Sequence, residues 1–187
     1  GRTTGRGTGI IDTIHLVEVA RAVEALEGAR ALSRAELGGV KKWFADYLRW
    51  ITTSKNGIEE RDAKNNHGTY YDVQVVSFAL FLGKTDLAKS VLEAAKTKRI
   101  AIQIEPDGRQ PLELERTKAW SYSVGNLDGL MTLARLGENV GVDLWSYETR
   151  DGRGIRKALE FLKPFAAGEK KWPYQQLGEW QPQILSP

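Results

Sequence analysis

The stretch NNHGTYYDVQVVSFALFLG, residues 65–83, determines the fold that this sequence predicts. Its first eight residues bring together two amides, an imidazole, a glycine and two phenols, and an almost unbroken apolar run begins at Val73. A helix with apolar residues on every side is typical of a protein core, whereas a surface helix has one polar face. The polar residues at the entrance of this buried helix are therefore candidates for a functional site.

Amphipathic segments on both sides of this stretch predict further helices. Ser33 and Glu36 form a capping-box pattern, and the apolar stripe over residues 40–51 predicts a helix that ends near residues 56–57. A polar connector is expected over residues 58–64. Further helices are predicted over about residues 10–26, 85–99, 116–136 and 154–165. No segment has the alternation of a strand, so we expect an all-α protein built from antiparallel helical hairpins.

Composition excludes several classes of site. The chain of 187 residues has no cysteine, so it forms neither disulfides nor thiolate metal ligands, and its two histidines are His15 and His67. Because two histidines without ligand spacing do not make a zinc site, we expect no metal and no cofactor. The net charge of +3 is compatible with a polyanionic ligand and also with an ordinary mixed-charge surface. Lysine and arginine are dispersed, which argues against nucleic acid binding.

The two ends of the chain differ from its helical middle. Residues 1–9 hold four glycines and predict a flexible or tightly turning entry segment, whereas residues 166–187 predict an irregular tail that lies over the helices. Residues 1–187 are expected to form part of a single domain. The first residue is not Met, so we expect a processed product or a fragment. No signal segment and no stretch of ~18 apolar residues occurs, so no membrane span is expected.

The motif NNHG followed by Tyr-Tyr-Asp resembles the signature of the alginate lyase superfamily, polysaccharide lyases that cut uronic-acid polymers. A second block, QIEPDGRQPLELER at residues 103–116, continues through Tyr122 and Asn126 and extends the resemblance over about residues 60–165. The resemblance implies an incomplete α/α toroid, of which this chain is the C-terminal half. It also implies an N-terminal half on this or a separate polypeptide, an acidic polysaccharide substrate, and a periplasmic or secreted location.

The reaction of such a lyase needs three kinds of group. The enzyme removes the C5 proton of a 4-linked uronate and expels O4, and negative charge grows on the C6 carboxylate as the proton leaves. Amide and guanidinium donors suit that carboxylate, which makes Asn66 and Arg116 candidates, with Asn65 as a third. Imidazole accepts or donates a proton near neutral pH, and a phenol can protonate the leaving oxygen. His67 and Tyr122 are therefore candidates for base and acid, and Tyr122 as tyrosinate could also be the base.

Other residues in the two blocks are candidates for binding the sugar chain. Tyr70, Tyr71 and Trp120 could stack on sugar faces, and Arg109 could serve as a subsite cation. The residues after Asn-Asn-His differ from those of the best-known alginate lyases, which leaves mannuronate-rich alginate, glucuronan and other polyuronates open as substrates.

Each candidate also has a structural explanation. Asn65 and Asn66 could cap the helix that follows, and His67 could make a structural hydrogen bond. Arg116 could pair with Glu113, three residues earlier, while Tyr122 and the other aromatic residues could pack in the core. The favoured function is a metal-independent, β-eliminating polyuronate lyase. The alternative is a non-catalytic helical module that binds polyanionic carbohydrate.

Overall fold

A computed structural model describes residues 5–178, and residues 1–4 and 179–187, including Trp180 of the predicted tail, lie outside the described part. Within residues 5–178 the chain is helical, and its only β-type pairing is an isolated bridge between Lys118 and Gln176. The prediction of an all-α protein is therefore confirmed.

The helices follow one another with short connections. A 3₁₀ helix, Gly7–His15, leads directly into α1, Leu16–Gly28. The other α-helices are α2 (Arg34–Thr53), α3 (Lys55–Arg61), α4 (Asn66–Phe81), α5 (Thr85–Ala95), α6 (Ala101–Gln103), α7 (Pro111–Leu114), α8 (Ala119–Glu138) and α9 (Ile155–Ala166). A π-helical turn, Lys96–Ile100, joins α5 to α6.

Helix α4 is the centre of the fold. Of its 16 residues, 13 are buried, so the apolar run after the NNHG motif is a core helix as predicted. It packs most extensively against α5 and α8 and also contacts α1, α2 and α3. Phe78 of α4 packs against Phe44 of α2, with ring centroids 5.1 Å apart. Burial of one such side chain contributes about 1.5–3 kcal/mol to stability.

Helix α2 begins as predicted and ends earlier. Ser33 Oγ accepts the main-chain N–H of Glu36 at 3.2 Å, and the Glu36 carboxylate accepts the N–H of Ser33 at 2.9 Å, which completes the capping box. The helix stops at Thr53, and α3 occupies residues for which a polar connector was predicted. A Cβ on Gly57 would lie 1.8 Å from the carbonyl oxygen of Ile51, so glycine allows α3 to fold closely against the end of α2.

Two other helices have bounds that differ from the prediction. The segment predicted over residues 85–99 is α-helical only to Ala95 and then takes up the π-helical turn. The helix predicted from residue 116 begins at Ala119, and Pro111–Leu114 forms a separate single turn before it. Arg116 therefore lies in the connection between α7 and α8.

Residues 167–178 form an irregular segment that lies over α8 and α9. Trp172 of this segment packs edge-on against Trp120, with ring centroids 5.0 Å apart. No helix within residues 5–178 combines the length and the apolar character that a bilayer crossing requires.

Candidate active site

The NNHG motif forms the start of helix α4. Asn65 is the N-cap residue, and its Oδ1 accepts the main-chain N–H of His67 at 3.3 Å. Asn66 is the first helical residue and is buried. Its main-chain N–H donates to Glu113 Oε1 at 2.7 Å, and its side-chain Oδ1 has no hydrogen-bond partner among the described residues. Asn65 thus caps the helix, whereas the side chain of Asn66 is left for another role.

A buried arginine holds the chain before this motif. The Arg99 guanidinium pairs with both carboxylate oxygens of Asp72, at 2.7 and 3.1 Å. It also donates to the carbonyl oxygens of Ala63 at 2.9 Å and Arg61 at 2.8 Å. A Cβ on Gly68 would lie 2.4 Å from Arg99 Nη1, so the glycine of NNHG makes room for this guanidinium. The π-helical turn that carries Arg99 therefore fixes the entrance of α4.

A buried polar network connects the motif to the second sequence block. The Asn126 amide donates to Gln103 Oε1 at 3.0 Å and to Gln110 Oε1 at 2.8 Å. Gln103 in turn accepts from Thr69 Oγ1 at 2.9 Å and donates to the Asn65 carbonyl oxygen at 3.1 Å. Because buried polar groups need partners, these bonds fix the register of α8 against the start of α4.

Glu60 on α3 binds the imidazole of His67. Glu60 Oε1 lies 2.8 Å from His67 Nδ1, and Glu60 is 1% exposed. The His67 side chain is 18% exposed, so part of the ring reaches solvent. Since a carboxylate accepts the Nδ1 hydrogen, Nε2 is the ring nitrogen left for a ligand. Sequence reasoning missed Glu60 because its helix was interpreted as a connector.

Glu113 joins the two sequence blocks. Its Oε1 accepts the Asn66 N–H, and its Oε2 lies 3.8 Å from Arg116 Nη1. Burial raises the pKa of Glu113, and the Asn66 N–H and the charges of Arg116 and His67 oppose that rise. The pairing of Arg116 with Glu113 was one of the structural explanations for Arg116, and this contact is present.

Arg116 stacks on the ring of Tyr122. Its Cζ lies 3.9 Å from the ring centroid, within the range of a cation–π interaction. The helix predicted over about residues 116–136 would include both residues. That prediction is wrong, because Arg116 precedes α8 and its guanidinium folds back over the first turn of the helix. Glu113 thus contacts Asn66 and Arg116, the charge of His67 acts on its carboxyl, and Tyr122 is joined to it through Arg116. We call these five residues the Glu113 cluster.

Two of the predicted sugar-stacking rings lie in the core. Tyr71 is 4% exposed and Trp120 is 1% exposed, and Trp120 packs against Trp172. Burial raises the pKa of Tyr71 to about 12, so its hydroxyl keeps its proton and donates to the Ile51 carbonyl oxygen at 3.3 Å. A ring with packed faces cannot stack on a sugar, so the structure contradicts substrate stacking by Tyr71 and Trp120.

Tyr70 and Arg109 make contacts outside the Glu113 cluster. Tyr70 donates to the Gly125 carbonyl oxygen at 2.7 Å, and burial raises the pKa of Tyr70 to about 12. This neutral hydroxyl joins α4 to α8. Arg109 is half-exposed and pairs with Asp107 at 2.7 Å. Substrate binding by Tyr70 and Arg109 stays a prediction.

The buried carboxyl of Glu113 is expected to lower stability as pH rises. Because burial raises its pKa above the ordinary value of 4.5, the folded protein binds this proton more tightly than the unfolded chain. Its stabilising contribution is complete below pH 4.5 and is lost as pH rises through the folded pKa. Glu113→Gln removes this titration. As pH rises from below 4.5 through the folded pKa of Glu113, the free energy of unfolding of the wild type should therefore fall relative to that of Glu113→Gln.

Urea unfolding of the complete protein over this pH range measures the difference. Glu115→Gln is the matched control, because Glu115 is exposed and two residues away. The Glu115 variant should follow the wild type at every pH. If the difference in the free energy of unfolding between the wild type and Glu113→Gln stayed constant with pH, the prediction would be wrong.

Comparisons with known proteins indicate the family to which this chain belongs. The family model described as alginate lyase matches residues 1–172. A solved structure of an alginate lyase from Bacteroides ovatus superimposes with a TM-score of 0.89 and 40% sequence identity. The match covers 94% of this chain and 47% of that one, so the chain spans about half the length of this relative. No curated protein matches significantly. With a family model matched over nearly its whole length, the chain belongs to the alginate lyase family.

Proposed function

We propose that this chain is part of a polysaccharide lyase that cleaves a 4-linked polyuronate, such as alginate or glucuronan, by β-elimination. The observation that supports the proposal is the Glu113 cluster, in which Glu113 contacts Asn66 and Arg116 beside the start of α4, and Arg116 in turn stacks on the ring of Tyr122. Family membership supports the same chemistry.

The substrate carboxylate binds where donors and positive charge meet. Asn66 lies in the first turn of α4, where the helix dipole favours an anion. The Arg116 guanidinium adds a full positive charge. As C5–H loses its proton, charge moves onto the C6 carboxylate, and donors placed in advance stabilise that charge without a metal ion.

The proton transfers belong to His67 and Tyr122. His67 Nε2 takes the C5 proton, the C4–O4 bond breaks, a C4–C5 double bond forms, and the Tyr122 hydroxyl protonates the leaving O4. The guanidinium of Arg116 over the Tyr122 ring stabilises the phenolate that remains. In the alternative assignment Tyr122 is the base, and its phenolate forms before the C5 proton is removed. Asn65, Tyr70 and Arg109 complete the substrate-binding set.

Further helices of the same fold complete the enzyme. Residues 1–187 form part of a single α/α toroid domain, whose N-terminal half lies on this or a separate polypeptide. Large apolar side chains are exposed on the consecutive helices α1 and α2, namely Val19, Leu26, Trp43 and Trp50. A group of exposed apolar residues is typical of a surface that another element covers. The enzyme works in the periplasm or after secretion, where its polymeric substrate is accessible.

The decisive experiment incubates the complete protein with a panel of polyuronates. Elimination creates an unsaturated uronyl end, whose conjugated double bond absorbs in the ultraviolet and gives a direct rate. Release of such ends supports the proposal and identifies the polymer. Binding of alginate or glucuronan without any unsaturated product would overturn it in favour of a non-catalytic polyanion-binding module.

A further inference from the structure

Glu60 is a buried carboxylate beside the Glu113 cluster. Its Oε1 binds His67 Nδ1 at 2.8 Å, and its Oε2 is buried without a hydrogen-bond partner among the described residues. Burial of a carboxylate costs several kcal/mol, and an unpaired buried oxygen adds to that cost. A neutral side chain or a main-chain carbonyl would accept the same Nδ1 hydrogen at lower cost. The presence of a carboxylate therefore indicates a role that needs its charge.

The local fold places Glu60 against the start of α4. Ser54 caps α3 by accepting the Gly57 N–H at 3.1 Å, and α3 packs closely against the end of α2. Glu59 and Glu60 follow each other on this helix, and the first is exposed whereas the second is buried. Contacts between α3 and α4 then hold Glu60 and the imidazole together.

We propose that Glu60 is a positioning residue that fixes the orientation and tautomer of His67. This inference rests on the proposed function, in which His67 Nε2 takes the C5 proton. With Nδ1–H bound to the carboxylate, Nε2 of the neutral ring is unprotonated and can accept. When it does so, the ring becomes positive and the negative charge of Glu60 stabilises it. Glu60 itself transfers no proton.

Three variants of the complete protein test this role. Glu60→Gln keeps the size and an acceptor oxygen but removes the charge, while Glu60→Ala removes both. Glu59→Gln is the matched control on the exposed neighbour. For each protein, kcat and KM for the polyuronate are measured across pH, and ¹⁵N NMR of the imidazole nitrogens reports the tautomer. His67→Gln identifies the His67 resonances.

The expected results separate positioning from a purely structural role. Glu60→Ala should lower kcat about 10²-fold with KM changed less than about threefold, and Glu60→Gln should fall between it and the wild type. In both Glu60 variants the acid limb of the plot of kcat against pH should move to lower pH, because the protonated imidazole of His67 loses a neighbouring negative charge. The His67 tautomer should change from Nδ1–H to mainly Nε2–H in Glu60→Ala. Glu59→Gln should match the wild type throughout.

Two outcomes would overturn the inference. The first is a His67 tautomer that stays the same in both Glu60 variants. The second is a dependence of kcat on pH that stays the same in both variants while only their stability falls. Failure of the proposed function looks different, because the wild type would then release no unsaturated product from any polyuronate. In that case the ¹⁵N spectra still decide whether Glu60 sets the His67 tautomer.

Discussion

Replacement of Tyr122 by phenylalanine is expected to reduce kcat for polyuronate cleavage by about 10²- to 10⁴-fold, the usual contribution of a positioned acid or base. The variant keeps the ring on which Arg116 stacks at 3.9 Å and loses only the hydroxyl. Packing and substrate binding should therefore persist, so the thermal unfolding midpoint and KM should change little. The loss should appear in kcat because proton transfer occurs in the transition state and not in the bound ground state.

The rate of ultraviolet absorbance increase in the complete protein measures this effect. Tyr147→Phe is the matched control, since that phenol lies beside Lys96 and takes no part in the Glu113 cluster. The control variant should retain wild-type turnover. A Tyr122→Phe protein with wild-type kcat would remove Tyr122 from the mechanism and leave His67 as the only proton-transferring group of the cluster.

Replacement of Arg99 by alanine is expected to lower the free energy of unfolding by about 3–5 kcal/mol, as for other buried ion pairs that lose one partner. Asp72 would remain as a buried charge without its counterion, and the carbonyl oxygens of Arg61 and Ala63 would lose their donor. Activity should fall as well, because the chain that leads into Asn65 and Asn66 would no longer be held.

Urea unfolding of the complete protein measures this loss of stability. Lys98→Ala is the control, because Lys98 is an exposed cation on the same π-helical turn and should change stability by less than about 0.5 kcal/mol. The double variant Arg99→Met with Asp72→Asn should recover part of the loss, since it leaves no unpaired charge. A loss below about 1 kcal/mol in Arg99→Ala would show that the ion pair is not a main source of stability.

Local sequence patterns predicted the helical core correctly. The nearly continuous apolar run after Asp72 places apolar side chains on every side of a helix, and only burial on every side keeps them from water. Helix α4 is buried in this way. The capping box at Ser33 and Glu36 was also correct, because it involves residues within one turn. The short helix α3 was missed, since seven residues with no apolar stripe look like a polar loop.

Aromatic residues show where local patterns stop being informative. Tyr71 and Trp120 have the chemistry of sugar-stacking residues and sit near the motif, yet both rings are packed in the core. Tyr122 has the same side chain as Tyr71 but lies under the guanidinium of Arg116. Only the packing of α4, α8 and the segment after α9 distinguishes these cases.

By itself, the sequence determined the all-α class, the central helix and the identity of the four groups proposed for catalysis. It did so because helix periodicity, capping and side-chain chemistry depend on residues close together in the chain. The tertiary structure alone decided that Glu113 binds the N–H of Asn66, that Glu60 holds His67, and that Arg99 fixes the entrance of α4. These contacts connect separate helices, and their geometry follows from how whole helices pack, which no local pattern encodes.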